Sequence, residues 1–158
     1  MSDEHTHPTQ ALALENFLPY RLSILSNTVS GTIASAYHRR FNLSIPEWRV
    51  MAVIARSPGL SAAEVAERTL MDKVAVSRAV AKLLKTERIE RDFADQDRRR
   101  SILTLSDNGR QVYDQVAPMA LKMEADLLQG FSDDEIATLN LLLDRMLART
   151  RLLGAPHT

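Results

Sequence analysis

Apolar side chains recur in steps of three and four along most of this chain, and in two short intervals they alternate one for one. From Pro19 to Phe41, the residues Leu22, Leu25, Val29, Ile33, Tyr37 and Phe41 make one stripe. That spacing predicts a single long amphipathic helix, with Pro19 in its first turn and Asn16 to Leu18 as its lead-in. Ser44-Ile45-Pro46-Glu47 predicts the next start, because a Ser hydroxyl and a Glu three residues later each satisfy a free backbone N–H. Val50, Met51, Val53 and Ile54 fill that helix, which stops near Ser57-Pro58-Gly59. Ser61-Ala62-Ala63-Glu64 repeats the start for a brief helix with Val65 and Ala66 on its buried side, and Thr69-Leu70-Met71 is the turn out of it. Asp72 caps a fourth helix whose stripe is Val76, Val80, Leu83 and Leu84. Its opposite side carries Val74, Arg78, Ala81, Lys82 and Lys85, small residues mixed with long cations.

The one-for-one alternation runs over Ile89 to Phe93 and again over part of Ser101 to Leu105, as in strands with one covered face. Between them, Ala94-Asp95-Gln96-Asp97-Arg98-Arg99-Arg100 reads as a polar connection, making a two-stranded ribbon with a basic tip. A fifth helix starts at Ser106-Asp107-Asn108-Gly109 and continues through Val112, Val116, Met119, Met123 and Leu127, with a kink expected at Pro118. Ser132-Asp133-Asp134-Glu135 opens the last helix, on which Ile136, Leu139, Leu143 and Met146 align and Leu142, Leu147 and Leu153 widen the stripe. The fold class expected is mainly α with a small β wing: a winged helix-turn-helix flanked by long dimerisation helices.

Composition narrows what such a fold can be doing. At 158 residues the chain has the size of one domain, and the absence of cysteine excludes disulfides and thiol chemistry. No run of 18 apolar residues occurs, and Met1 to Ala11 lacks the basic start and apolar block of a signal peptide, so a cytoplasmic protein without a membrane segment is expected. Residues 1–11 read as a flexible tail; within it His5 and His7 invite a metal-site reading, but no further ligands complete a set. Neither a metal nor a cofactor is expected, and an enzyme is disfavoured: there is no glycine-rich phosphate loop and no Ser, His and acid at a recognisable spacing. Charge cancels overall, with 20 basic and 20 acidic residues, yet it is sorted. Lys73 to Arg100 holds nine basic residues against five acidic, the local surplus that phosphate contact requires.

The stretch Trp48 to Gly109 closely resembles the MarR (multiple antibiotic resistance regulator) family of bacterial transcription factors. The likeness is carried by Leu60-Ser61-Ala62-Ala63-Glu64-Val65-Ala66 in the first helix of the motif and Val76-Ser77-Arg78-Ala79-Val80-Ala81-Lys82-Leu83 in the recognition helix. Its most specific part is Asp97-Arg98-Arg99-Arg100-Ser101-Ile102-Leu103-Thr104-Leu105-Ser106-Asp107-Asn108-Gly109, the wing and the helix start after it. The organisation that follows is a tail at 1–11, dimerisation helices at 12–43 and 107–153, and a DNA-binding domain at 44–106. On the recognition helix the DNA-facing set is Lys73, Ala75, Ser77, Arg78 and Lys82. Arg78 is the first choice for base readout, since a guanidinium donates two bonds to guanine O6 and N7. Ser77 and Lys73 are expected at phosphate or base edges, and Lys82 and Lys85 at phosphates. The resemblance implies that Arg99 enters the minor groove from the wing, that Asp97 orients it, and that Arg98 or Arg100 contacts the backbone.

The first, fifth and sixth helices carry more apolar stripe than one small winged domain can cover. A homodimer would bury it; a monomeric globule in which these helices cover one another is the alternative. In proteins resembling this family these helices intertwine into a homodimer, which would present two recognition helices to a pseudo-palindromic operator of double-stranded DNA with half-sites about one helical turn apart. Family members commonly hold a small anionic or aromatic effector between these helices and the winged domain. Tyr20, Arg21, Asn27, His38, Trp48 and Arg49 are the candidates here, with Arg21 to pair a carboxylate and Trp48 as an aromatic wall. Each has a plainer reading too: a core Trp, an exposed His, an Arg paired with an acid. The function expected is a homodimeric repressor released by a small aromatic carboxylate. The alternative is a winged-helix protein-interaction module that does not bind DNA.

Overall fold

The structure, a computed structural model, describes the backbone of residues 12–94 and 97–153, and the side chains of these except residues 94 and 97–100. After a single 3-10 turn at Leu14–Asn16, six α-helices and two strands follow in the order α1 (Leu18–Phe41), α2 (Ile45–Arg56), α3 (Ala62–Thr69), α4 (Lys73–Lys85), β1 (Ile89–Ala94), β2 (Asp97–Leu105), α5 (Asp107–Leu127) and α6 (Asp133–Leu153). The expected tail, with His5 and His7, lies outside the described residues. No helix among the described residues is long and apolar enough to cross a membrane.

Local chemistry sets most of these boundaries. Ser44 and Glu47 form a reciprocal capping box at α2, Ser61 and Glu64 form another at α3, and Ser132 with Glu135 makes the same pair of bonds at α6. The Asp72 carboxylate accepts the N–H groups of Val74 and Ala75 at 2.9 and 3.1 Å, which starts α4. Two helices end on left-handed residues, α1 at Asn42 and α3 at Leu70. Asn tolerates that conformation; for Leu70 it is a strained choice, held by the tight turn into α4.

The chain divides into two compact units, Met1–Ala117 and Pro118–Thr158, with the boundary inside α5 at its internal proline. In the first unit the winged region shares one core with the end of α1 and the first half of α5: Tyr37, Leu43, Val50, Met51, Ile54, Val65, Val76, Val80, Leu83, Ile89, Leu103 and Val116 are buried. Tyr37 is the buried residue of α1; along the earlier stripe Leu25 is exposed and Leu22 and Val29 are half-buried. In the second unit, α6 buries none of its residues and exposes Leu139, Leu141, Leu142, Leu143 and Leu147.

The ribbon differs from the sequence expectation. β1 and β2 pair antiparallel from Ile89 opposite Leu105 to Phe93 opposite Ser101, and then Ala94 pairs with Asp97. β2 therefore starts at Asp97, and the connection is shorter than the seven-residue loop expected at Ala94 to Arg100. Charge had marked Arg98, Arg99 and Arg100 as a loop, but backbone pairing is indifferent to side-chain charge. These three fall where the register jumps, so they form the bulged part of the strand. Leu60 adds a bridge to the other edge of β2, its carbonyl accepting the Leu103 N–H at 2.8 Å.

Candidate nucleic-acid interface

Helix α4 packs its Val76, Ala79, Val80 and Leu83 into the core and presents the other side outward. On that outward side Lys73, Val74, Ser77, Arg78, Ala81 and Lys85 are all exposed. Ala75 is half-buried at the shoulder of the helix. Ser77 and Arg78 thus stand where the sequence placed them, on a helix whose first turn is pinned by Asp72 and whose back is locked by four apolar contacts. A guanidinium on so fixed a support can be aimed at a base edge at little further cost in ordering.

Lys82, expected at phosphate, is half-buried and ion-paired. Its ammonium lies 2.9 Å from Oε1 of Glu47 on α2, and the Glu47 side chain is only 6% exposed. The other carboxylate oxygen accepts the Ser44 N–H at 3.3 Å. Glu47 therefore closes the cap of α2 and grips α4 at once, and only the first of these is marked by local spacing. Arg88, in the turn between α4 and β1, donates to the carbonyl of Phe41 at the end of α1. Between them, Glu47 and Arg88 fasten the α1–α2 corner to the C-terminal end of α4 and the turn that follows it.

At the wing, Asp97, Arg98, Arg99 and Arg100 lie in β2, and the roles expected of their side chains fall outside the described residues. The root of the wing is held by Ser106, whose hydroxyl donates to the Glu87 carbonyl at 2.6 Å and accepts the Gly109 N–H at 2.9 Å.

The six effector candidates separate into two groups. Tyr20, Arg21 and Asn27 are exposed on the N-terminal half of α1. His38, Trp48 and Arg49 cluster near the α1–α2 corner. Eighteen residues of helix, about 27 Å at 1.5 Å per residue, separate Tyr20 from His38, so one chain does not gather all six around one small molecule. Trp48 is half-buried and stacked on Tyr113 of α5, with centroids 5.5 Å apart, and tilted against Tyr37 at 5.9 Å. Tyr113 had drawn no attention in the sequence, because nothing local marks a partner 65 positions away. His38 Nδ1 is 3.3 Å from the Leu43 carbonyl, and Arg49 is exposed. Burial pushes the Tyr37 phenol above its ordinary pKa, and the nearby Arg49 charge works the other way. Among the described residues no group of three or more His, Asp or Glu could hold a metal ion.

Comparison with known proteins bears on the same elements. Residues 41–100 match the model of the MarR family. A putative transcriptional regulatory protein for the hcr operon of Thauera aromatica is 31% identical over 97 residues, which is 61% of this chain and 58% of that protein. The chain spans 58% and 65% of the lengths of the curated relatives it matches, less than two thirds in each case. A MarR/EmrR family transcriptional regulator from Acinetobacter sp. ADP1 superposes with a TM-score of 0.83 at 25% identity, covering 89% of this chain and 99% of that one. The S. aureus MepR–DNA complex gives a TM-score of 0.78 at 18% identity over 87% of this chain and 99% of that one, a likeness of fold.

Proposed function

The chain belongs to the MarR family, and from that premise we propose that it is a transcriptional regulator that binds double-stranded DNA sequence-specifically as a homodimer. The observation that carries this reading is the outward face of α4, where Ser77 and Arg78 stand exposed on a helix capped by Asp72 and backed by the core. A helix of this kind fits the major groove, with Arg78 donating to guanine and Ser77 beside it. Lys73 and Lys85, near the two ends of α4, take phosphates. From the wing, Arg99 enters the minor groove with Asp97 orienting it, and Arg98 or Arg100 holds the backbone. That MepR, similar in fold, is known in complex with DNA supports the choice of partner.

The apolar residues left open along α1 and α6 support a second copy as their cover. Two copies would address half-sites about one turn apart. Repression relieved by a small aromatic carboxylate is the finer part of the proposal. His38, Trp48 and Arg49 at the α1–α2 corner are its contacts, with Arg49 pairing the acid. The test is a mobility shift on the duplex upstream of the gene, with and without carboxylates that raise the melting temperature, alongside sedimentation of the free protein. A dimer that retards this duplex and not a scrambled one, and releases it on adding a hit, is expected. Failure to retard any duplex would favour a protein-interaction module instead.

A further inference from the structure

Val74 is a large, wholly apolar side chain on the solvent side of α4, and 55% of it is exposed. Nine residues of helix place it about 180° round the axis from Leu83, which is completely buried. It therefore lies on the crest of the outward face, in line with Arg78 and Ala81, while Lys82 sits on the shoulder against Glu47. Two constraints hold it rigidly. Its own N–H is bonded to the Asp72 carboxylate at 2.9 Å, and a β-branched side chain in a helix has one strongly preferred χ1 rotamer.

An exposed valine alone needs no explanation. What singles this one out is its company: the cations Lys73 and Arg78 flank it, and Asp72, the nearest acid, is already spent on capping. An apolar protein partner would have to bury both cations beside the contact. A duplex neutralises them, and in the major groove its bases offer hydrocarbon as the C5 methyl of thymine. Resting on the DNA-reading function proposed above, we infer that Val74 is a specificity-determining residue that packs on a thymine methyl in each half-site. Val74 and Arg78 are about 6 Å apart along the helix axis. The thymine therefore lies within about two base pairs of the one Arg78 reads, given about 3.4 Å per base pair.

The experiment begins by selecting bound sequences from a randomised duplex pool with the full chain. Each thymine of the selected site is then replaced by uracil, which lacks only the methyl, and affinities are measured for wild type and Val74→Ala. One uracil position per half-site is expected to weaken wild type about fourfold, the value of one methyl-sized contact, and to leave Val74→Ala unaffected. The variant melts like wild type, since the side chain it loses is exposed. A selected site without a sensitive thymine, or equal sensitivity in wild type and variant, would overturn the assignment. A pool that yields no enriched sequence would overturn the DNA-reading function itself, a result distinct from either.

Discussion

Lys82 and Glu47 meet at 2.9 Å across two helices, with 42% of the lysine side chain and 6% of the glutamate side chain exposed. A buried carboxylate needs its partner more than a half-exposed ammonium does, because desolvation falls mainly on the acid. The pair therefore ties α4 to α2 and holds the Lys82 ammonium on the shoulder of α4.

Lys82→Gln is accordingly expected to lower folding stability by about 1.5–3 kcal/mol, the range for hydrogen bonds to charged groups, seen as an earlier denaturant midpoint. The salt dependence of operator binding should stay at the wild-type slope. A slope reduced by about 0.9, the value of one lost phosphate contact, would instead put Lys82 on DNA.

Arg78→Ala should leave the melting temperature unchanged, since the guanidinium is solvent-exposed and the helix is held from behind. It should cost about 1–3 kcal/mol of operator affinity and relax preference at one position of each half-site. Competition binding against a panel of single-base variants reads both effects; an equal loss on random duplex would mark a phosphate contact.

Gly109 admits no side chain. A Cβ built there would lie 1.8 Å from the Arg88 carbonyl oxygen and 2.8 Å from its carbon, and both are backbone atoms in a turn fixed by Ser106. Gly109→Ala must push α5 away from the wing, so a loss of about 3 kcal/mol or more is expected, at the upper end for overpacking. Urea unfolding measures it, and a near-wild-type midpoint would show that this junction yields easily.

Tyr37 gives the fold an alkaline limit. Its phenol is held above the ordinary tyrosine pKa because burial disfavours the charged form. The folded state thus holds this proton more tightly than the unfolded chain does, so the contribution is complete below the unfolded value and is lost as pH rises through the folded one. Denaturant midpoints measured from about pH 9 to 11 should fall less steeply in Tyr37→Phe than in wild type. Parallel curves would place the alkaline loss elsewhere.

Helix starts were legible in the sequence because a cap needs only residues three apart: Ser44 with Glu47, Ser61 with Glu64, and Ser132 with Glu135 all act as their spacing predicts. The buried stripe of α4 was legible for the same reason, since Val76, Val80 and Leu83 need only the helical period. The start of β2 was not. Three consecutive arginines mark a loop by charge, while strand pairing depends on a backbone partner that charge does not reveal.

By itself, then, the order of residues determined the helices, the two-stranded wing, the exposed position of Arg78 and the family resemblance, because each rests on interactions within a few residues. Tertiary structure alone decided that Lys82 belongs to Glu47, that Trp48 lies against Tyr113, and that the Cβ of any residue at 109 would strike Arg88. Contacts between distant segments depend on how whole elements pack, and no local spacing records that.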